Sequence, residues 1–587
     1  MSELTIIAFS MLQFQIYPIH IHQTGMASEK IISAGVFTQE NDLSFFSRGL
    51  SEIGAAVIGW TKSGPAFQPT IVESYDEFTQ VFGGKNEELF TPYLADEYLR
   101  NSGKLTVTRV LGGGTFSYTT VGELSSGSIL HAVIRPTASA SGDFIIDVTG
   151  STSEVSMSAF DLHLSCSADE TTYTSVSMNP SDSNFVGKII GENPRGPGYF
   201  YLDTYFKTQI SASIAIGALM PTGSVSSSTS AIITTTGYSH GTSPTIISQT
   251  FGSTNHELFN FHMLSDGTES NQLIKAGVFA VKASGSVPGS DYGSFGVVIR
   301  KYSDNDANPV ILETYNNLTL DPDSPNYIAR RIGDQSVTTA ATGKKTVNGD
   351  FQNISKYVRV SMVVASYPKD AVPFGFKNYK KYNSTAPDAV YALSQSYDSD
   401  YNSRAYYGID FEDDDVKNFN DALPTTKANN SSNFLLSNCI GYASGVYTGA
   451  ISLTSAIGTK QFMFGFQDGF DGFDPRKPIS EDRTFTLATT SGSVEFKKAL
   501  DSTKSQDEYD FNMLIVPDLE YGNSSYVIKQ ALSVCESRGD CFLLMDLGGK
   551  TTSRDTYITR TQAIDSSYAA TYYPWVQIGD DENSKPV

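Results

Sequence analysis

The stretch Leu547-Gly548-Gly549-Lys550-Thr551 follows an apolar run and carries the Gly-Lys-Thr of a phosphate-binding loop. Such a loop wraps a phosphate in backbone N–H groups and needs another glycine five residues before the glycine of Gly-Lys-Thr. That position is Leu544, inside the apolar run, so nucleotide binding is not expected. Gly237-Tyr238-Ser239-His240-Gly241 matches the letters of a nucleophile elbow, where a strand delivers the serine and a helix starts behind it. Here Thr234–Thr236 precede the motif and Thr242-Ser243-Pro244 follow it, which starts no helix, so a β-turn is expected.

Carboxylates cluster twice. Asp410, Glu412, Asp413, Asp414 and Asp415 resemble a cation loop in charge but lack the glycine that an EF-hand turn requires. A solvated acidic loop is expected there, with an ion-pairing patch as the second reading. Asp468, Asp471 and Asp474 recur at spacing three among glycines, in Gln467-Asp-Gly-Phe-Asp-Gly-Phe-Asp474. Their chemistry would allow calcium, and the glycines point to a tight loop. The seven histidines include no H-x-x-x-H pair, so no zinc site is expected. Cys166, Cys439, Cys535 and Cys541 are too few for a disulfide framework at this size, and the last two are not spaced as a C-x₂-C knuckle. Buried free thiols in a reducing cytosol are expected. No metal and no cofactor is called for, and no catalytic group stands out. An enzyme would need a site at the carboxyl ends of the core strands, near Asp518 and Asp546.

The net charge of −22 repels a phosphate backbone and argues against direct nucleic-acid binding. No apolar run reaches the ~18 residues of a membrane span, so no membrane insertion is expected. Leu4–Ile21 is apolar but interrupted by Gln13, Gln15 and His20, and it lacks the basic start of a signal peptide. Residues 1–25 are read as an N-terminal extension of a chain that begins naturally at Met26.

The elements that would position any site follow from periodicity. Residues 26–52 read as an arm, with strand character at Gly35, Val36, Phe37 and Thr38 and little beside them to pack on. Residues 53–112 form the first part of an α/β core. Ala55–Trp60 is a buried strand, and Ser74 with Glu77 makes a capping box. Tyr75, Phe78, Val81 and Phe82 form a helical stripe closed by Gly83. A second helix starts at Thr91-Pro92 and buries Leu94, Ala95, Tyr98 and Leu99; Leu105–Val110 returns as a strand. At Gly112-Gly113-Gly114 the chain turns Ser/Thr/Gly-rich. Residues 113–204 and 205–355 read as an outer and an inner inserted β-rich domain. Residues 356–587 read as the second part of the α/β core. There Met513–Val516, a helix capped at Asn523 or Ser524 with Val527, Ile528, Ala531, Val534 and Cys535 on one face, and Cys541–Met545 make a βαβ unit with parallel strands. The fold class is thus an α/β core, a mixed sheet with flanking helices, carrying inserted β-rich domains. The two core parts are expected to share one hydrophobic core.

Several of these stretches, in this order, resemble the contractile tail sheath proteins of myovirus bacteriophages. They are Gly54-Ala-Ala-Val-Ile-Gly-Trp60, Gly64-Pro-Ala66, Ser74–Gly83, Phe295–Arg300, Glu313–Asp321 with Asn326-Tyr-Ile328, the Gly-Asp-Gly-like turn near Asp471, Ala531–Cys541 and Ser567–Trp575. The resemblance implies a structural subunit and not an enzyme. Its partners would be copies of itself in helical hexameric rings, the tail tube protein, and baseplate and tail terminator proteins. It would be assembled in the host cytoplasm and reside in the virion tail. The inserted domains would decorate the outside, and the arm at Gly35–Thr38 would add a strand to a neighbour's sheet. Family members continue past the Tyr-Pro-Trp segment, so a chain ending at Val587 is expected to form monomers or short irregular oligomers until that region is restored. The other readings are a sheath from a phage-derived device (a secretion system or tailocin) and a virion surface β protein.

Overall fold

The computed structural model describes residues 54–85, 89–112, 115–119, 122–126, 129–136, 145–150, 158–177, 183–192, 198–205, 223–226, 230–234, 237–251, 254–285, 291–305, 308–377, 407–408, 433–436, 461–472, 491–549, 552–580 and 585–586. The chain divides into two compact units at Ser51–Glu52, and the first lies wholly outside the described residues. So do the extension 1–25, the arm with Gly35, Val36, Phe37 and Thr38, and the acidic run 410–415.

The α/β core is a six-stranded sheet built from both ends of the second unit. Its first half holds strands β1 (Gly54–Gly59), β2 (Thr70–Val72) and β3 (Leu105–Arg109), with helices α1 (Tyr75–Phe82) and α2 (Phe90–Leu99). Its second half holds α3 (Ser491–Ser502), β4 (Phe511–Glu520), α4 (Tyr521–Arg538), β5 (Phe542–Asp546), α5 (Arg554–Gln562) and β6 (Ala569–Ala570). The strand order is β2-β3-β1-β4-β5-β6. Only the β2–β3 pair is antiparallel. The two halves meet at β1 and β4, in parallel register from Ala55↔Met513 to Val57↔Ile515.

Period-two alternation explains the layers. Ala55 and Val57 of β1 point to one face, where Phe78 and Phe82 of α1 and Ala95 of α2 cover them. Ala56 and Ile58 point to the other, where Phe496 of α3, Val527, Ile528, Ala531, Val534 and Cys535 of α4, and Tyr557 of α5 cover them. With helices on both faces, every residue of β1 is buried, as a parallel sheet requires. The shared core of the two halves is therefore present.

The local signals act as read, with small shifts. Ser74 Oγ accepts the Glu77 N–H at 3.2 Å, while Glu77 reaches the Glu73 N–H at 2.9 Å. The α2 helix starts at Phe90, so Pro92 falls inside its first turn. Its buried side is Thr91, Pro92, Tyr93, Ala95 and Asp96, while Leu94, Tyr98 and Leu99 are half-buried. Asp96 goes inside because Lys85, itself buried, meets it at 2.6 Å. In α4, Ser524 keeps non-helical angles (φ −126°, ψ 38°), so one turn precedes it and the long amphipathic helix follows.

Between the halves lie the β-rich sheets. An outer set has strands 122–126, 129–136 and 200–205 in one sheet and 145–150, 158–166, 169–177 and 223–226 in another, around Ile134, Ile146, Leu162 and Val176. An inner pair of sheets encloses a larger core that includes Phe259, Phe261, Phe295, Ile299, Phe374, Phe376 and Phe464. Sheet membership moves two boundaries read from the sequence. Strands 223–226 and 230–234 pair with 145–150 and 115–119, so the outer set runs past 205. Strands 358–362, 373–377, 433–435 and 462–464 join the inner sheets, so the chain returns to the α/β sheet after 472 and not at 356. These later strands are taken by open edges of sheets already begun, a long-range choice that the sequence near 356 does not carry. A hairpin of the insertion, 336–339 with 345–348, lies against the core. Thr339 Oγ1 donates to the Phe67 carbonyl at 3.1 Å, and Lys345 pairs with Glu508 at 3.2 Å.

Candidate functional site

The stretches that could do chemistry are occupied by structure. Leu544 lies in β5 and pairs with Ile515 and Ala570. The loop after it packs tightly: the Gly548 carbonyl accepts Trp575 Nε1 at 3.0 Å, and a Cβ on Gly549 would stand 2.7 Å from Glu520 Oε2. A carboxylate against that loop opposes a phosphate there; Lys550 is outside the described residues. Asp546 has its carboxyl pushed up to about 6, by partial withdrawal from water although the residue as a whole is exposed, and by Glu520. Asp518 belongs to β4, and its side chain is outside the described residues.

Ser239 sits in extended backbone bridged to Phe470, and its hydroxyl donates to the Asp468 carbonyl at 2.5 Å. A strand, His240–Thr242, follows it. His240 turns instead to His262, Nε2 to Nδ1 at 3.0 Å. The nucleophile elbow is therefore absent at this motif. No group of three or more metal-ligating side chains occurs among the described residues.

What the structure builds instead is a buried ionic joint around Arg109. This residue ends β3, a strand buried along its whole length, and its side chain is fully enclosed. An isolated charge cannot stay there, so every direction of its guanidinium is answered. Nε donates to the Thr61 carbonyl at 2.9 Å. Nη1 donates to the carbonyls of Gly64 at 2.8 Å and Asp266 at 2.6 Å. Nη2 donates to the Lys62 carbonyl at 3.0 Å and to Asp471 Oδ1 at 3.3 Å.

Three chain regions meet here: the 61–64 loop of the core, the end of strand 254–266, and the 467–472 loop. Asp266 Oδ2 accepts the Ala66 N–H at 2.8 Å. Asp471 Oδ1 also accepts the Thr268 N–H at 3.1 Å. Backbone bonds lock the same regions: Gly112 N–H to the Asp471 carbonyl at 3.0 Å, Asp266 N–H to the Gly64 carbonyl at 3.1 Å, Ser239 N–H to the Phe470 carbonyl at 2.8 Å. Gly267 has φ 90°, and a Cβ there would stand 2.1 Å from Asp471 Oδ1, so only glycine fits. Asp471 Oδ1 is thus held by Arg109 and the Thr268 N–H, and the Asp471 N–H donates in turn to Thr268 Oγ1 at 3.2 Å. Burial lowers the Arg109 pKa, and Asp471, Asp266 and Glu269 oppose that shift. Burial likewise raises the carboxyls of Asp266 and Asp471, with Arg109 opposing in both; Asp471 keeps 31% of its side chain exposed, so water also softens its burial.

The joint extends on both sides. Lys498 of α3 lies 4.0 Å over the Phe67 ring and 5.4 Å over Tyr238. His262 Nε2 meets Ser361 Oγ at 2.7 Å, and Arg359 approaches His240 Nε2 at 3.4 Å. The sequence reading singled out Asp471 for its spacing but missed Arg109 and Asp266. The available signal was an arginine closing an otherwise apolar-and-threonine strand, which demands a buried acid elsewhere. A second surface lies at the sheet edge. After β6, Tyr572, Tyr573, Trp575 and Val576 are exposed, and Trp575 meets Phe90 edge-on at 6.1 Å.

No family model matches the chain, and no curated protein matches it. Among solved structures it is similar to a sheath tail protein from Listeria innocua, at 13% identity over 32% of this chain and 34% of that one, with a TM-score of 0.10. It is also similar to a sheath tail protein from Desulfitobacterium hafniense, at 13% identity over 35% and 37%, with a TM-score of 0.09. The match spans about a third of the length of each of those chains. TM-scores this low do not superpose one fold on another, so the reading below rests on this chain's own residues.

Proposed function

We propose that the chain is a structural subunit of a contractile phage tail sheath, which works by assembly and change of shape and not by catalysis. The observation that carries this is the Arg109 joint between a split six-stranded sheet and the β-rich insertion that separates its halves. A subunit that passes force to its neighbours must not open between its own domains. A buried arginine with five hydrogen bonds across three chain regions meets that need. The ordered sequence stretches that resemble those of myovirus sheaths add to the reading.

The subunit's partners would be copies of itself in helical hexameric rings, the tail tube protein, and the baseplate and terminator proteins. It would bind no nucleic acid directly, insert into no membrane and need no cofactor. Assembly would take place in the host cytoplasm and the product would be the virion tail. The arm at Gly35–Thr38 would seek a sheet edge on a neighbour, since lone strands carry unpaired N–H and C=O groups. Edge strands β2 and β6, three and two residues long, and the exposed strip Tyr572–Val576 are the surfaces of the core best placed to receive a neighbour.

The test is immunogold microscopy of particles that carry this chain. Label should run along the whole tail shaft and compact with it on contraction. Label confined to the capsid, or to the baseplate, overturns the proposal.

A further inference from the structure

Asn348-Gly349 is the only Asn-Gly step in the sequence. It ends the hairpin of strands 336–339 and 345–348, and both residues are exposed. Hydrogen-bonded and non-bonded pairs alternate along an antiparallel ladder. The Ala340 N–H bonds the Lys344 carbonyl at 2.9 Å, so counting by twos makes Ser336 and Asn348 a bonded pair as well. The Gly349 N–H therefore faces away from the ladder, and among the described residues no acceptor meets it. Beyond it the register slips by one: the Asp334 N–H bonds the Phe351 carbonyl at 3.1 Å, and not that of Asp350. Gly349 stands in this bulge with φ 123°, where a Cβ would lie 2.7 Å from the Asp334 carbonyl oxygen.

The asparagine is equally uncommitted: its side chain makes no hydrogen bond among the described residues. Asn353, further along the same segment, is the contrast. Its Oδ1 accepts the Gln335 N–H at 3.0 Å, its Nδ2 donates to the Gln335 carbonyl at 2.8 Å, and a β-branched Ile354 follows it. A glycine has no Cβ to hinder the approach of its own nitrogen to the preceding side chain. The hairpin that Asn348 ends also reaches the α/β core. Besides the Thr339 and Lys345 contacts, a Cβ on Gly343 would stand 2.4 Å from the Asp501 carbonyl carbon.

We propose that Asn348 is a self-modifying site, which closes on the Gly349 nitrogen and ages to aspartate and isoaspartate with water as the only co-reactant. The Gly349 amide nitrogen gives its proton to water or hydroxide and attacks Asn348 Cγ. A C–N bond forms, the Cγ–Nδ2 bond breaks, and the side-chain nitrogen takes up a proton and leaves as ammonia. Water then adds to one of the two carbonyls of the cyclic imide and opens it. One water is consumed and one ammonia released, with nothing oxidised or reduced. Opening at the side-chain carbonyl leaves an aspartate at position 348. Opening at the main-chain carbonyl leaves an isoaspartate, which routes the chain through the former side chain and adds a methylene to the backbone. Either product places a new negative charge next to Asp350, on the segment that packs against Asp334. The added methylene lengthens the strand at the foot of the hairpin and loosens its seat on Phe67, Asp501 and Glu508. The chemistry does not depend on the sheath reading.

The test incubates the folded chain in mildly alkaline buffer and maps it by trypsin and mass spectrometry, with a fresh sample digested alongside. Trypsin cuts after Lys345 and Lys356, so peptide 346–356 carries both Asn348 and Asn353. Expected are release of ammonia, an amide-to-acid mass gain placed at position 348 by fragmentation, separate aspartate and isoaspartate products, and an unchanged Asn353. Asn348→Gln, whose closure needs a larger ring, should keep its amide. The Ala340 amide, which bonds across the hairpin, should exchange faster in the aged wild-type chain than in aged Asn348→Gln. The proposal fails if Asn348 keeps its amide in the folded chain; loss in urea alone would show that the fold holds the amide away from the nitrogen. It fails equally if Asn353 converts as fast as Asn348. Equal exchange at Ala340 in the two aged chains would refute the loosening of the hairpin.

Discussion

Replacing Arg109 with methionine keeps the side chain's bulk but removes all five of its hydrogen bonds, to Thr61, Lys62, Gly64, Asp266 and Asp471. One carboxylate, that of Asp471, and four carbonyls are left facing an apolar group. Deleting one partner of a buried ion pair typically costs about 3–5 kcal/mol. Because water reaches part of Asp471, the lower end applies, ~3 kcal/mol. At ~1.4 kcal/mol per tenfold this is a change of about 100-fold in a local opening equilibrium. Native-state hydrogen exchange reads that opening directly. The amides of Gly112, Ser239, Thr242 and Asp266, which bond across the joint, should exchange about 100-fold faster in Arg109→Met. Amides of Val57 and Leu514, inside the six-stranded sheet, should change far less. Adding Asp471→Asn should recover part of the loss, because the stranded carboxylate is gone and the two sites are coupled. A change under about threefold at the joint amides would show that the arginine does not hold the insertion to the sheet.

Phe78→Ala should cost about 3–5 kcal/mol, because Phe78 is fully buried between α1 and the sheet; urea unfolding of the α/β region should show it as a lower midpoint. Ser74→Ala removes the cap of α1 and should cost ~1 kcal/mol, read as faster amide exchange at Glu77. Burial first, and then Arg359, push the imidazoles of His240 and His262 down to about 4 and about 3, from the ordinary 6.5. The folded values lie below the unfolded ones, so the unfolded chain takes up protons first. Their contribution is fully present above about pH 6.5 and is lost as pH falls toward about 4 for His240 and about 3 for His262. The groups facing this pair are Arg359 and Asp266, with Ser361 and Thr242 as neutral partners. Thermal unfolding of the inserted region should shift down between neutral pH and about pH 5, and His262→Gln should flatten that slope; an unchanged slope would assign the loss to other groups.

Local patterns were legible wherever one element's burial is set by its own period. The β1 strand, the α1 stripe closed by Gly83, and the face Val527, Ile528, Ala531, Val534 and Cys535 of α4 all read correctly from the chain alone. So did the parallel βαβ unit, because strand, helix and strand at that spacing leave one economical connection. Reading failed where a residue's role depends on a distant partner. Asp471 looked like one of three calcium-type acids until Arg109, 362 positions earlier, was placed against it. The short apolar strands 358–362, 373–377 and 462–464 reveal that they are strands but not which sheet they complete. A strand's partner is decided by which edge remains open once the rest has folded, and no local spacing encodes that. Periodicity therefore determined the elements, and tertiary packing alone decided which charges and edges face one another, because burial of a polar group is stable only with a partner brought from elsewhere in the chain.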